Sequence, residues 1–260
     1  MEDKIDIAIN DKGVKMNELY DEKINIFSAI PENGLNGVII YCHGLGSNKK
    51  WAMRFYDRLL ENKLGIYAFD FPGHGEDNTE FSQFTLNLCI SYLNDVISYV
   101  SDKYNVPIYL FGCSFGGFVI LNRLVVKSDD VEATILMCPA INFCEIMEKR
   151  SGISNDYFNT NEYIRLYNNI RIYKQAYIEF KKGDLQLKDF KFNNISIIQG
   201  TLDKTVDYEN IKQFCDKNNL KLLTIRDGKH ELYGYEDKIV DFLINCNYLL
   251  VHLYYIILLI

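Results

Sequence analysis

Three side chains on three separate loops, Ser114, Asp203 and His230, could together turn a hydroxyl into a nucleophile. A serine is weakly nucleophilic until a base takes its proton, and the base works best when a carboxylate fixes its tautomer. Ser114 lies in Gly112-Cys113-Ser114-Phe115-Gly116-Gly117, between apolar runs at 107–111 and 118–121. A serine among glycines, at a strand end and a helix start, reads as a nucleophile elbow. The turn is tight and strained, side chains beside it would clash, and the following helix directs its N-terminal dipole at the reacting atoms.

The base follows by elimination among four histidines. His43 sits at a strand end beside Gly44, where the backbone is expected to matter more than the ring. His74, in Phe71-Pro72-Gly73-His74-Gly75, reads as structural, and His252 lies in an apolar run. His230, in Asp227-Gly228-Lys229-His230-Glu231, falls just past the last expected strand. Loops after parallel strands gather at one sheet edge, where it can meet Ser114. The loop Gly200-Thr201-Leu202-Asp203-Lys204-Thr205-Val206-Asp207 offers two acids. Asp203 stands at the turn and is preferred, whereas Asp207 reads as the cap of the next helix. A tetrahedral intermediate also needs donors for its oxyanion. The backbone N–H groups of Phe115 and of Leu45, in His43-Gly44-Leu45-Gly46-Ser47, are the candidates. A phosphate-binding reading of that glycine pair is weaker, since no G-K-[ST] or G-x-G-x-x-G follows.

Positioning these groups takes an α/β scaffold. Strand-length apolar runs at 23–30, 37–42, 65–69, 107–111, 133–138, 195–199 and 220–225 alternate with helical patterns at 51–61, 86–103, 117–126, 208–217 and 236–244. Such alternation favours βαβ units and a mainly parallel sheet. With 260 residues, 48% apolar and 24% charged, the chain suits one domain with a large core, set at 1–248. A net charge of −7 argues against nucleic acid as a partner. Seven cysteines without a C-x-x-C pair read as reduced core residues, neither a zinc site nor a disulfide frame. The start, Met1-Glu2-Asp3-Lys4, has no secretory pattern, and a cytoplasmic location is expected.

Two stretches break the pattern. Between the strands near 139 and 195 an insertion at about 140–191 is longer than a simple crossover needs, rich in Tyr, Phe, Lys and Asn, with a helical piece expected at 162–182. It reads as a lid or a surface excursion. Tyr157, Phe158, Tyr163 and Tyr167 (and Tyr173 beside them) could clasp a substrate or simply pack within it. Residues 242–260 carry no Asp, Glu, Lys or Arg, and the apolar run 249–260 is short for a membrane span. A helix packed on the domain, a membrane-associating tail and a non-native end all remain open, and the oligomeric state is not indicated.

Together, His43-Gly44-Leu45-Gly46, Asp70-Phe71-Pro72-Gly73-His74-Gly75, the Ser114 turn, Gly200-Thr201-Leu202-Asp203 and Gly228-Lys229-His230 resemble the α/β-hydrolase superfamily. The resemblance is greater to its serine esterase and monoacylglycerol lipase-like branch, which includes feruloyl esterases and lysophospholipase-like enzymes. The order Ser, Asp, His is that of the superfamily. Cys113 departs from the His, Asn or Trp often found before the serine, and the apolar tail has no counterpart. The resemblance implies a mainly parallel eight-stranded sheet flanked by helices, a helical lid after strand six, and hydrolysis of a small or medium ester without metal or cofactor. The ester would be of feruloyl type or of acylglycerol or lysophospholipid type. Acyl transfer, thioester or peptide cleavage, and a binding protein that has lost activity stay open on the same scaffold.

Overall fold

The computed structural model describes residues 14–20, 24–153, 156–185 and 194–245. In chain order the strands are β1 (Val14–Tyr20), β2 (Ile24–Ala29), β3 (Gly37–Cys42), β4 (Leu64–Phe69), β5 (Ile108–Cys113), β6 (Ala133–Met137), β7 (Tyr163–Arg165), β8 (Arg171–Tyr173), β9 (Ile195–Gly200) and β10 (Lys221–Ile225). The helices are α1 (Tyr56–Glu61), α2 (Leu86–Lys103), α3 (Phe115–Val126), α4 (Phe143–Ser151), α5 (Lys174–Gly183), α6 (Tyr208–Asn218) and α7 (236–245).

Eight strands form one sheet in the order β1-β2-β4-β3-β5-β6-β9-β10. From β4 to β10 all neighbours are parallel, while β2 pairs antiparallel with both β1 and β4. β3, β4, β5 and β6 are buried along their whole length, which explains their unbroken apolar sequence: a parallel sheet covered on both faces has no polar side. Alternate residues feed two cores. Val38, Ile40 and Cys42 join α2, α3 and α6 on one face; Ile39 and Tyr41 join α1 and α7 on the other. In α2 the apolar stripe through Cys89, Leu93, Val96 and Val100 is buried, and Thr85 Oγ1 caps the helix by accepting from Leu88 N–H at 3.2 Å.

Two expectations need revision, and one strand, β1, is an addition to those expected. Residues 51–61 do not make one helix, because a 3₁₀ turn (Lys49–Arg54) precedes α1. Asn48 caps that turn, and Lys49 is drawn into the interior by Asp70, whose carboxylate accepts from its N–H at 2.7 Å and its ammonium at 2.8 Å. β1 shows no clean alternation in sequence because a register irregularity between Lys15 and Glu18 shifts its phase. The expected helical piece at 162–182 is helical only from Lys174. Before it, β7 and β8 form an antiparallel hairpin whose turn puts Asn168 and Asn169 at φ 54° and 59°, left-handed backbone that asparagine tolerates. The segment between β6 and β9 is therefore mixed helix and hairpin. The tail at 249–260 lies outside the described residues, and among these no helix is long and apolar enough to cross a membrane.

Candidate active site

β5 ends at Cys113 and α3 begins at Phe115, leaving Ser114 at φ 50°, ψ −112° in the left-handed region that a serine enters only under constraint. The constraint is the closeness of β3 to α3. A Cβ on Gly116 would stand 2.1 Å from the Cys42 carbonyl oxygen, and one on Gly112 would stand 2.8 Å from Gly117 N. Ser114 N–H donates to Met137 O at 3.0 Å, which ties the turn to β6. The Phe115 ring is buried against Phe71, Phe84 and Phe143, so its side chain is core. Its backbone N–H opens α3, where a helix has no internal acceptor.

The loop after β3 passes beside this turn: a Cβ on Gly44 would lie 3.5 Å from Ser114 Cβ. Its backbone is held from two sides. Tyr167 OH donates to Leu45 O at 2.7 Å, and Asn168 Nδ2 donates to Gly46 O at 3.1 Å, both from the hairpin turn. From below, the His43 ring contributes more than the sequence suggests. It is fully buried; Nε2 accepts from Phe71 N–H at 3.0 Å and Nδ1 lies 2.8 Å from Gly44 O, an arrangement satisfied by the tautomer protonated on Nδ1. Burial, with His74 and Lys49 nearby, lowers its pKa to about 3, so the ring stays neutral. The expectation that the backbone matters more than the ring at His43 gains this addition. The imidazole rivets the loop after β3 to the loop after β4, and no spacing rule signals that role.

His230 and Asp203 sit on the loops after β10 and β9. His230 Nδ1 is 2.7 Å from Asp203 Oδ2, which also accepts from Gln199 Nε2 at 3.0 Å. Asp203 Oδ1 accepts from the N–H groups of Thr205 (2.7 Å) and Val206 (2.9 Å). Burial pushes the Asp203 pKa up, but the hydrogen bond and charge of His230 and these two N–H groups outweigh it and hold it below the ordinary value. The two loops are zipped together: Leu202 N–H donates to Gly228 O at 2.9 Å, and a Cβ on Gly200 would lie 2.3 Å from that oxygen. Arg54 braces the far side, donating to Glu231 O, Leu232 O and the Glu236 carboxylate. Asp207 acts elsewhere, accepting from Asn210 N–H at 3.0 Å as the cap of α6. The Cys138 thiol approaches Asp203 and His230, with ligand atoms within 4.8 Å of one another. Burial and then the Asp203 charge raise its pKa strongly, so without a metal it is a neutral thiol.

Two chambers meet at Ser114, Leu45, Arg150, Tyr167 and Thr205. One, of about 340 Å³, has apolar walls that include Phe143, Ile146, Met147 and Ile164 from the inserted segment. The other, of about 320 Å³, is bordered by His230, Glu231 and Trp51. Of the aromatic residues singled out in the insertion, Tyr157 and Tyr167 line the first chamber. Phe158 and Tyr163 line neither. Phe158 packs between Tyr157 and Tyr177, and Tyr163 faces Tyr173 across the hairpin with Arg171 over its ring. Arg150 went unnoticed in sequence, although Phe143, Met147 and Arg150 share one face of α4 and an arginine in an apolar stripe is a usable signal.

Comparison with solved structures places this architecture. Est1E from Butyrivibrio proteoclasticus, bound to ferulic acid, superposes with a TM-score of 0.76 at 20% identity, covering 91% of this chain and 96% of that one. Alpha/beta hydrolase domain-containing protein 10 from mouse gives 0.63 at 19%, covering 92% and 98%. The chain has the α/β-hydrolase fold. A monoacylglycerol lipase from Paleococcus ferrophilus shares the α/β-hydrolase fold at a TM-score of 0.61 and 16% identity, over 85% of this chain and 99% of its own. Residues 34–155 match the family described as serine aminopeptidase, S33. A putative esterase/lipase 2 of Mycoplasma genitalium is 30% identical over 140 residues, 53% of this chain. The match spans half of that relative's length.

Proposed function

We propose that the protein is a serine carboxylic ester hydrolase working through an acyl-enzyme. His230 Nε2, the ring nitrogen left free by Asp203, takes the proton of Ser114 as its oxygen attacks the ester carbonyl. The N–H groups of Leu45 and Phe115 hold the oxyanion, each worth about 3 kcal/mol of barrier. His230 then protonates the leaving alcohol. Because His230 borders only one of the two chambers, the alcohol leaves on that side and the acyl group occupies the apolar one. Water entering on the alcohol side repeats the sequence and frees the acid. Asp203 stays ionised throughout and keeps the proton on Nδ1.

The observation that carries this reading is the 2.7 Å pair of His230 and Asp203 beside the same cavity as a serine held at positive φ. A small to medium acyl group suits a chamber of about 340 Å³. The walls favour an ester over the N-terminal residue an aminopeptidase would hold, because an ammonium group needs a carboxylate and the acyl chamber is lined by none. Replacing Ser114→Ala should abolish hydrolysis of short p-nitrophenyl esters and labelling by a fluorophosphonate while leaving the thermal unfolding curve in place. Wild-type turnover in that variant would refute the nucleophile.

A further inference from the structure

Two arginines border the acyl chamber, Arg150 near the end of α4 and Arg165 at the end of β7. In a chain with 35 acidic against 28 basic residues, a cavity wall with cations and no carboxylate calls for a reason. Three other arginines are matched: Arg54 holds Glu236, Arg58 holds Asp237 and Asp241, and Arg123 holds Asp130. Arg150 instead donates to the Thr205 hydroxyl at 2.7 Å, and Arg165 makes only a long contact, 3.4 Å, to the Tyr163 hydroxyl. Neither forms an ion pair among the described residues.

The hairpin makes this more pointed. Its register sets Arg165 directly across from Arg171, an unfavourable like-charge pair for a strand pair so short. Tyr163, between them, reports the local field: the Arg165 hydrogen bond and the charges of Arg171 and Arg165 lower its hydroxyl pKa, against a smaller opposing effect of Glu162. Of the other nearby acids, Glu231 borders the alcohol side and Asp203 and Asp207 line a separate groove beside Arg150, none of them this chamber. Both guanidinium groups stand at the solvent-exposed rim of the apolar wall, where the two parallel N–H donors of each match a carboxylate.

We propose that the acyl chamber receives esters whose acyl part ends in a carboxylate, half-esters of dicarboxylic acids, with Arg165 and Arg150 holding the distal anion. The assignment of that side to the acyl group rests on the serine hydrolase reading above; the affinity of the chamber for a carboxylate does not. Arg165 is the cleaner probe, because Arg150 also holds Thr205, whose N–H supports Asp203.

The test compares mono-4-nitrophenyl adipate with 4-nitrophenyl hexanoate, acyl chains of equal length that differ by the terminal carboxylate. The wild type should favour the anionic ester in kcat/KM by about tenfold or more at low salt, and added salt should narrow the ratio. Arg165→Gln should bring the ratio down by about tenfold, and Arg165→Lys should restore part of it. A wild-type ratio of one or less, or a ratio that Arg165→Gln does not move, overturns the proposal. Calorimetric titration of the Ser114→Ala protein with monomethyl adipate and methyl hexanoate separates the two readings. Tighter binding of the anion, lost in the added Arg165→Gln, upholds the chamber even if neither nitrophenyl ester is turned over, and then the serine hydrolase reading alone fails. Equal or weaker binding of the anion refutes the chamber.

Discussion

Asp203 and Asp184 are both carboxylates largely removed from water, both accept backbone N–H groups, and they fall on opposite sides of the ordinary aspartate range. Asp203, at the sheet edge, is held low despite its burial, because His230 adds a hydrogen bond and charge to the Thr205 and Val206 N–H groups. Asp184, in the inserted segment, reaches across to accept from Cys144 N–H at 3.0 Å near the start of α4. Among the described residues no cation pairs with it; burial dominates, Glu148 and Glu145 add repulsion, and its pKa rises to about 6. Backbone donors alone do not hold down the pKa of a buried carboxylate; the histidine's added hydrogen bond and charge make the difference. The contrast extends to the surroundings. The sheet-edge loops interlock through backbone contacts that leave no room for a Cβ, whereas the insertion is fastened by side chains such as Tyr167, Asn168 and Arg150.

The largest effect should come from removing the charge that sets Asp203 apart. Asp203→Asn keeps the shape but presents an amide where His230 Nδ1 needs an acceptor, favouring the wrong tautomer. A fall in kcat of about ten-thousandfold is expected. Asp207→Asn, which touches only the α6 cap, should leave kcat within about twofold and lower stability by at most about 1 kcal/mol. Steady-state kinetics on one chromogenic ester reads both. Comparable losses in the two variants would mean that the acid has been misassigned.

His43 comes next, as the residue joining the two loops beneath the proposed oxyanion site. His43→Ala removes a buried ring and leaves the Phe71 N–H without its acceptor. The expected loss is about 2 kcal/mol or more of unfolding free energy in urea, since an unsatisfied buried donor and a void each destabilise. If the ring positions the Leu45 loop, kcat should fall while KM stays nearly constant, because the oxyanion forms only in the transition state. A loss of stability with kcat intact would leave His43 a purely structural residue.

What was legible in the sequence divides along the same line. Unbroken apolar runs mark strands buried on both faces, so β3 was read to the residue and β5, β6, β9 and β10 to within one or two. The Ser114 turn and the loops of Asp203 and His230 announce themselves through glycines that backbone proximity demands. The insertion carries no such signature. Its short hairpin depends on two asparagines in left-handed backbone, and Tyr157, Phe158, Tyr163 and Tyr167 look alike until the chain path decides which of them reach the cavity. His43 was missed for a related reason: both of its ring partners are backbone groups, one of them on a loop distant in sequence.

The smallest effect, and the most direct test of the two-aspartate contrast, is the pH dependence of stability. Asp203 has a depressed pKa in the folded state. Its contribution is present above the unfolded value of about 3.9 and is lost as pH falls through the folded one. Asp184 has the opposite sign. With a folded pKa raised to about 6, its contribution is complete below the unfolded value and is lost as pH rises from about 4 through about 6, where the unfolded chain releases a proton that the folded chain retains. Asp184→Asn preserves an oxygen for the Cys144 N–H and removes the ionisation. Urea unfolding of the variant should therefore match the wild type near pH 4, exceed it increasingly up to about pH 6, and keep a constant advantage above. An advantage that does not change with pH would show that Asp184 titrates alike in both states, and that burial in the insertion does not govern its charge.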